Sequence, residues 1–89
     1  MTGRLVGQEL DLDLAERYCC ESEEICRELG YRKGAILAQI ARGNVALDRG
    51  DYQAAQKDFE ESLATSEKIG FARGMVRTLI DLGRVAQGL

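Results

Sequence analysis

Three cysteines are the tightest cluster of potentially reactive residues in this 89-residue sequence: Cys19, Cys20 and Cys26. Their spacing lacks the Cys-x-x-Cys pattern of zinc and redox motifs. On a helix, which rises about 1.5 Å per residue, Cys19 and Cys26 lie roughly 10 Å apart along the axis and cannot share a metal ion. The spacing predicts no metal site and no cofactor, with the cysteines as small buried helix contacts. A thiol-based redox enzyme is the alternative.

Other catalytic chemistry finds little support. The sequence has no histidine, which removes serine triads, imidazole proton shuttling and most catalytic metal sites. Acidic residues are dense between Glu9 and Glu28, but no spacing singles out a catalytic pair. Gly30 and Gly34 follow a helical pattern without the Lys-Ser/Thr of a phosphate-binding loop, so they indicate turns. We expect a protein that is not an enzyme.

The charge balance and the cysteine count limit partners and location. Twelve basic against 15 acidic residues give a net charge of −3, which offers no general electrostatic case for nucleic acid or an anionic membrane. No apolar run approaches the roughly 20 residues that cross a bilayer. The odd number of cysteines and an N-terminus without a secretory hydrophobic region predict a reduced, cytoplasmic protein.

Charge is unevenly distributed along the chain. Residues 1–30 carry eight acidic and three basic residues, whereas residues 31–89 carry seven acidic and nine basic ones. A solvated helix face with favourable charges near the helix start explains the acidic segment. The alternative is an acidic patch that docks a basic partner or the basic end of a second copy, and such docking weakens with salt.

The sequence repeats itself with a period of 40 residues. This shift gives eleven identical positions, against roughly three expected from average composition. The aligned segments include Glu21-Ser22 with Glu61-Ser62, Gly34 with Gly74, Ile40 with Ile80, and Gly43-Asn44-Val45-Ala46 with Gly83-Arg84-Val85-Ala86. A period of this length is typical of a helical repeat.

Within each unit the apolar spacing is helical. Apolar residues recur at intervals of three and four, and no useful stretch alternates with a period of two. Asp51 can cap the third helix, and glycines end the first three. The predicted helices run from about Leu12 to Leu29, over 33–49, over 52–69, and from about Ala72 to Gln87. The predicted fold class is all-α.

The second and third helices resemble the tetratricopeptide repeat. Gly43 and Ala46 stand at small positions of the family's first helix, the turn is Gly-Asp-Tyr at 50–52, and Ala55 and Phe59 follow at the family's offsets. Small residues permit close helix crossing, and Phe59 fills the remaining gap. The 40-residue repeat resembles that of the longer subfamily, which is found in bacterial signal-transduction regulators, kinesin light chains and spindle-orientation adaptors.

The resemblance covers nearly the whole chain, with departures. Gln39 and Arg42 replace large apolar residues, Leu10-Asp11-Leu12 replaces Gly-Asp-Tyr, and Cys19 replaces the aromatic residue. The resemblance implies antiparallel helix pairs stacked as a short right-handed TPR-like α-solenoid. It implies a single domain over 1–89, made of a partial unit 3–42, a unit 43–82 and the start of a further unit 83–89.

The resemblance also implies a function and its residues. The first helix of each unit would line a concave groove that binds a protein or peptide segment. Arg77 and Arg84 can bind a carboxylate through two parallel hydrogen bonds, which favours an acidic partner, and Asn44 can bond a peptide backbone. The alternative interpretation makes the apolar positions core residues and the arginines solvated. The groove positions are Leu37, Ile40, Asn44, Leu47, Arg77, Ile80 and Arg84.

Two functions remain open besides partner binding: structural self-association, and a role as part of a larger regulator. Neither end of the chain supplies the polar capping helix that stacked repeats need. The sequence therefore predicts either a piece of a longer solenoid or structural self-association into a homodimer or helical stack. The third possibility is a sensor or linker portion of a larger bacterial signal-transduction regulator.

Overall fold

Three short turns divide the chain into four helices. The computed structural model describes residues 2–88, with side chains from Asp11 to Gly88. The helices are α1 (Thr2–Glu28), α2 (Arg32–Asp48), α3 (Tyr52–Ile69) and α4 (Ala72–Gly88). No strand occurs in residues 2–88, which confirms the predicted all-α class. None of these four helices is both long and apolar enough to span a membrane.

The three turns share one hydrogen-bond pattern. Each contains a glycine with a positive φ, of 74° at Gly30, 83° at Gly50 and 70° at Gly70, the left-handed conformation that glycine adopts at no steric cost. The residue after each glycine donates its N–H back to the preceding helix, as from Asp51 N to Ala46 O at 2.9 Å. Asp51 also accepts from the N–H of Ala54 at 3.2 Å, which confirms the predicted cap.

The start of α1 differs from the prediction. The helix begins at Thr2 rather than near Leu12, and it continues without a turn through Leu10-Asp11-Leu12. This segment aligns with the turn at 50–52, but a leucine stands where Gly50 takes the left-handed conformation. Since leucine enters that conformation only with steric strain, the backbone remains helical.

Consecutive helices pack against each other, and α2 also contacts α4. The core lies where α2, α3 and α4 meet, and its buried residues are Ile36, Ile40, Ala55, Phe59 and Val85. Phe59 is fully buried against Gly43, where an added Cβ would lie 2.6 Å from Cε1 of the ring. Glycine therefore permits the close approach of α2 and α3 at this crossing.

The same contacts recur 40 residues apart. In the pair α1–α2, Cys26 lies against Gly34, where an added Cβ would be 2.7 Å from Sγ. In the pair α3–α4, Ser66 lies against Gly74, where an added Cβ would be 2.5 Å from Oγ. The two pairs thus share a crossing geometry. Cys26 lies at a helix contact as predicted, but it is half-buried rather than buried, as are Cys19 and Cys20.

Candidate protein-interaction site

A cleft of about 770 Å³ lies between α2 and α4. Its wall is apolar and accessible, because Leu37, Val76 and Ile80 are 40%, 58% and 60% exposed, whereas Ile40 is buried at its base. Five of the seven predicted groove residues line this cleft. The complete lining is Leu37, Ile40, Ala41 and Asn44 from α2, and Ala72, Arg73, Val76, Arg77 and Ile80 from α4.

The other two predicted groove residues lie elsewhere. Arg84 stands beside the lining, where its Nη1 donates to Oδ1 of Asn44 at 3.0 Å. Leu47 packs against the hydrophobic core and is half-buried. The packing of Leu47 thus agrees with the alternative interpretation, in which it is a core residue.

A buried carboxylate that the sequence analysis missed organises the polar edge of the cleft. Asp81 is only 1% exposed. Its Oδ2 accepts from Nδ2 of Asn44 at 3.3 Å and lies 3.4 Å from Nε of Arg77. Its Oδ1 lies 3.6 Å from Nη1 of Arg84. We call these four residues the Asp81 cluster. The spacing of an acid four residues after one arginine and three before another was the signal that could have found it.

The Asp81 cluster holds two guanidinium groups at the cleft while leaving them accessible. The side chains of Arg77 and Arg84 are 59% and 51% exposed. Two arginines against one aspartate leave a net positive charge, and Arg73 adds another on the cleft wall. Because an arginine carries five N–H donors, each retains donors for an incoming carboxylate.

Asn44 makes hydrogen bonds within the chain at the edge of the cleft. Its Nδ2 donates to the backbone oxygen of Ile40 at 3.1 Å as well as to Asp81, and its Oδ1 accepts from Arg84. Both N–H groups of the amide are thus engaged within the chain, where Asn44 positions the side chains of Asp81 and Arg84. Its bonding of a peptide backbone stays a prediction, for which Oδ1 retains one lone pair.

A second polar cluster joins α1, α2 and α3 around Arg42. Its Nη2 lies 3.1 Å from Oδ1 of Asp58, and its Nη1 lies 3.1 Å from Oε1 of Glu23, which is only 5% exposed. Burial alone lowers the pKa of Arg42, but the hydrogen bonds to Asp58 and Cys20 and the charges of Asp58 and Glu23 raise it above the ordinary value. Arg42 therefore stays charged and ties three helices together.

Gln39, the other polar departure from the repeat pattern, is also satisfied across a helix crossing. It is buried, its Nε2 donates to Oε2 of Glu61 at 2.7 Å, and its Oε1 accepts from Oγ of Ser62 at 3.1 Å. Buried polar groups stabilise a fold only when they find such partners. Gln39 and Arg42 thus fix how α3 lies on α2.

The cysteines remain free thiols. No three His, Cys, Asp or Glu side chains between Asp11 and Gly88 are arranged to hold a metal ion. Burial raises the pKa of the Cys19 thiol; Cys20 and Glu16 add to this, and Arg42 opposes it. Reactive cysteines have a lowered pKa, so the shift at Cys19 runs opposite to that of a thiol catalyst.

The raised pKa of Cys19 predicts a pH dependence that can be measured. In a chain carrying Cys20→Ser and Cys26→Ser, alkylation of Cys19 should rise with pH at a higher midpoint in the folded state than in denaturant. Because the unfolded thiol then releases its proton first, stability should fall as pH rises through the ordinary thiol range. A folded-state midpoint at or below the unfolded one would contradict the burial of this thiol.

Comparison with known proteins finds no protein family, curated protein or solved structure that matches this chain. The fold and the cleft themselves define a class: an all-α chain of two similar helix pairs, with an apolar cleft edged by anchored arginines.

Proposed function

We propose that this chain is a protein-interaction module without catalysis, which docks an extended or helical partner segment in the cleft between α2 and α4. The observation that carries the proposal is the accessible apolar wall of Leu37, Val76 and Ile80 beside guanidinium groups held by a buried carboxylate. A segment with apolar side chains next to Asp or Glu fits both features.

The proposal includes a short right-handed α-solenoid of TPR-like units. Its support is the repeated crossing, with Cys26 on Gly34 and Ser66 on Gly74. A second support is the contact of α2 with α4, which skips α3. Such a contact is expected when the first helices of successive units line one surface.

The electrostatics of the cleft favour an acidic partner. Arg73, Arg77 and Arg84 all project from α4, and Asp81 is the single acidic residue of that helix. The Asp81 cluster already orders Arg77 and Arg84, so a partner carboxylate has less side-chain entropy to overcome on binding. The apolar wall supplies contact area, and the arginines supply orientation.

The same clusters support a non-catalytic role. The buried carboxylates Glu23 and Asp81 are ion-paired with arginines, and burial raises the pKa of Cys19. Three free thiols suit the reducing cytoplasm, which is the location we propose.

A selection experiment tests the cleft. A display library of random 12-residue peptides is selected against the full chain, and affinities of the enriched peptides are measured by titration calorimetry. We expect peptides that combine apolar residues with Asp or Glu. Arg77→Glu should weaken their binding about tenfold or more, since a hydrogen bond to a charged group contributes about 1.5–3 kcal/mol. Leu37→Asp should weaken it similarly through the apolar wall.

The matched control is Lys57→Glu, which makes the same change of charge at an exposed position of α3. It should leave the affinity within about twofold, because exposed charges outside a contact are screened by solvent and salt. Binding that is unchanged by both Arg77→Glu and Leu37→Asp would show that the cleft is the wrong surface.

A further inference from the structure

Both α1 and α4 expose an apolar face. On α4, Val76, Leu79 and Ile80 are more than half exposed, and nothing lies within 4 Å of the position where Gly83 would carry a Cβ. On α1 the exposed apolar residues Leu14, Tyr18 and Ile25 follow one helical stripe, which Leu29 continues into the turn after the helix. Contiguous apolar surface of this kind marks an interaction site.

The exposed face of α4 corresponds, in the 40-residue repeat, to the face of α2 that packs against α3. Forty residues earlier, the counterparts of Val76, Leu79, Ile80 and Gly83 are Ile36, Gln39, Ile40 and Gly43, which are all buried. Helix α3 covers this α2 face: Phe59 lies on Gly43, and Glu61 and Ser62 bond Gln39. Within residues 2–88, the corresponding face of α4 stays exposed at Val76, Leu79 and Ile80.

The exposed face of α1 corresponds, in the same repeat, to the face of α3 that packs against α2. Tyr18 and Ser22 are the counterparts of Asp58 and Ser62, which bond Arg42 and Gln39 on α2. Both Tyr18 and Ser22 are exposed. The chain therefore exposes both surfaces of an α2–α3-type contact: the α2-like surface on α4 and the α3-like surface on α1.

We propose that a second copy of this chain occupies the α4 face, with α1 of that copy packed on α4 as α3 packs on α2. Such a contact joins different surfaces of the two copies, so it is head-to-tail and can extend into a stack. The proposal goes beyond cleft binding. Val76 and Ile80 belong to both surfaces, so a docked copy would compete with a cleft segment, whereas Tyr18, Leu79 and Gly83 are absent from the cleft lining and allow the contact between copies to be tested separately.

Paired changes of residue type favour a second copy over an unrelated helix. Arg42 and Asp58 form an ion pair between α2 and α3, and their counterparts are Leu82 and Tyr18. In a contact between α4 and α1, Leu82 would therefore replace Arg42 and Tyr18 would replace Asp58. Both residues of the ion pair are exchanged for residues without a charge. Leaving one charged residue opposite an apolar one would instead strand a charge in the contact.

The charges of the two helices are also complementary. Helix α1 carries eight acidic and three basic residues, whereas α4 carries one acidic and three basic residues. Arg49 forms ion pairs with Asp13 and Glu16 within the chain, and Glu21, Glu24 and Glu28 remain exposed. Opposite net charges favour the encounter of α1 with α4 and disfavour α1 with α1.

Two variants block one face each. Gly83→Gln adds a side chain into open space on α4, so the single chain keeps its fold while the notch that receives a partner helix is filled. Tyr18→Glu places a charge on the exposed α1 face. The control is Lys57→Gln, on an exposed position of α3 outside both faces. Circular dichroism on every sample checks that helicity is retained.

The experiment is multi-angle light scattering over a concentration series, with each variant alone and with the two blocked variants mixed. We expect a mass that grows with concentration for the wild type and Lys57→Gln, and a single-chain mass for each blocked variant. The equimolar mixture should form dimers of twice that mass, because each partner retains one open face.

Three results would overturn the proposal. A wild type that stays monomeric at every concentration would assign the α4 face to another occupant. Oligomers that persist in both blocked variants would place the contact elsewhere. A mixture that remains monomeric would show that the contact is not head-to-tail. Cleft peptides that bind Gly83→Gln at least as tightly as the wild type would leave the proposed function intact in each case.

Discussion

Phe59→Ala is expected to lower the free energy of unfolding by about 4 kcal/mol. Phe59 is fully buried and is the largest residue of the core. Truncation leaves a cavity where α2, α3 and α4 meet. Since a domain of this size has on the order of 5–10 kcal/mol of stability, much of the margin would be lost. Urea unfolding followed by circular dichroism measures the change.

The close approach of Phe59 to Gly43 supplies an internal control. Gly43→Ala should destabilise the wild type, because its Cβ would lie 2.6 Å from the Phe59 ring. In a Phe59→Ala chain the same methyl group enters the cavity, and alanine also raises helix propensity. Gly43→Ala should then be stabilising. The same sign in both backgrounds would disprove this contact.

Arg42→Met is expected to cost about 3 kcal/mol, because it leaves Asp58 without its cation and Glu23 with Arg27 as its remaining ion-pair partner. Glu23 is 5% exposed, and the side chain of Asp58 is 15% exposed. Methionine can keep the packing of the arginine stem but cannot replace its hydrogen bonds and charge at Asp58 and Glu23. The change should appear as a lower midpoint in urea unfolding. Gly83→Gln is the appropriate background, since self-association would stabilise the folded chain by mass action.

A double variant distinguishes charge loss from packing loss at this site. Arg42→Leu with Asp58→Tyr reproduces the residue types of Leu82 and Tyr18. We expect this pair to cost less than the sum of its single substitutions, since the leucine no longer faces an unpaired Asp58. Strict additivity would mean that Arg42 and Asp58 do not interact in the folded chain.

Sequence reasoning succeeds here where the determinants are local. Gly30, Gly50 and Gly70 set the ends of three helices through their left-handed conformations, and Asp51 provides its own cap. The start of α1 was missed because the aligned repeat suggested a turn near Asp11. The local residues contained no glycine to make one.

The polar clusters were harder to predict because their members are distant in sequence. Arg42 departs from the repeat pattern in the sequence alone. Its partners cannot be identified there, because Glu23 and Asp58 lie on two other helices. Asp81 was overlooked because its role depends on Asn44, which reaches it from α2. Five of the nine residues that line the cleft could be predicted from the sequence. A spacing of three and four places the predicted residues of each helix on one face of that helix.

The most direct test of the proposed function is NMR of the isotope-labelled Gly83→Gln chain during titration with a selected peptide. We predict that the Nε–H signals of Arg77 and Arg84 and the methyl signals of Leu37 and Ile80 shift together and saturate with the calorimetric affinity. Signals of Tyr18 on α1 should stay in place. Shifts confined to α1 or α3, with the four cleft residues unchanged, would contradict the cleft as the binding site.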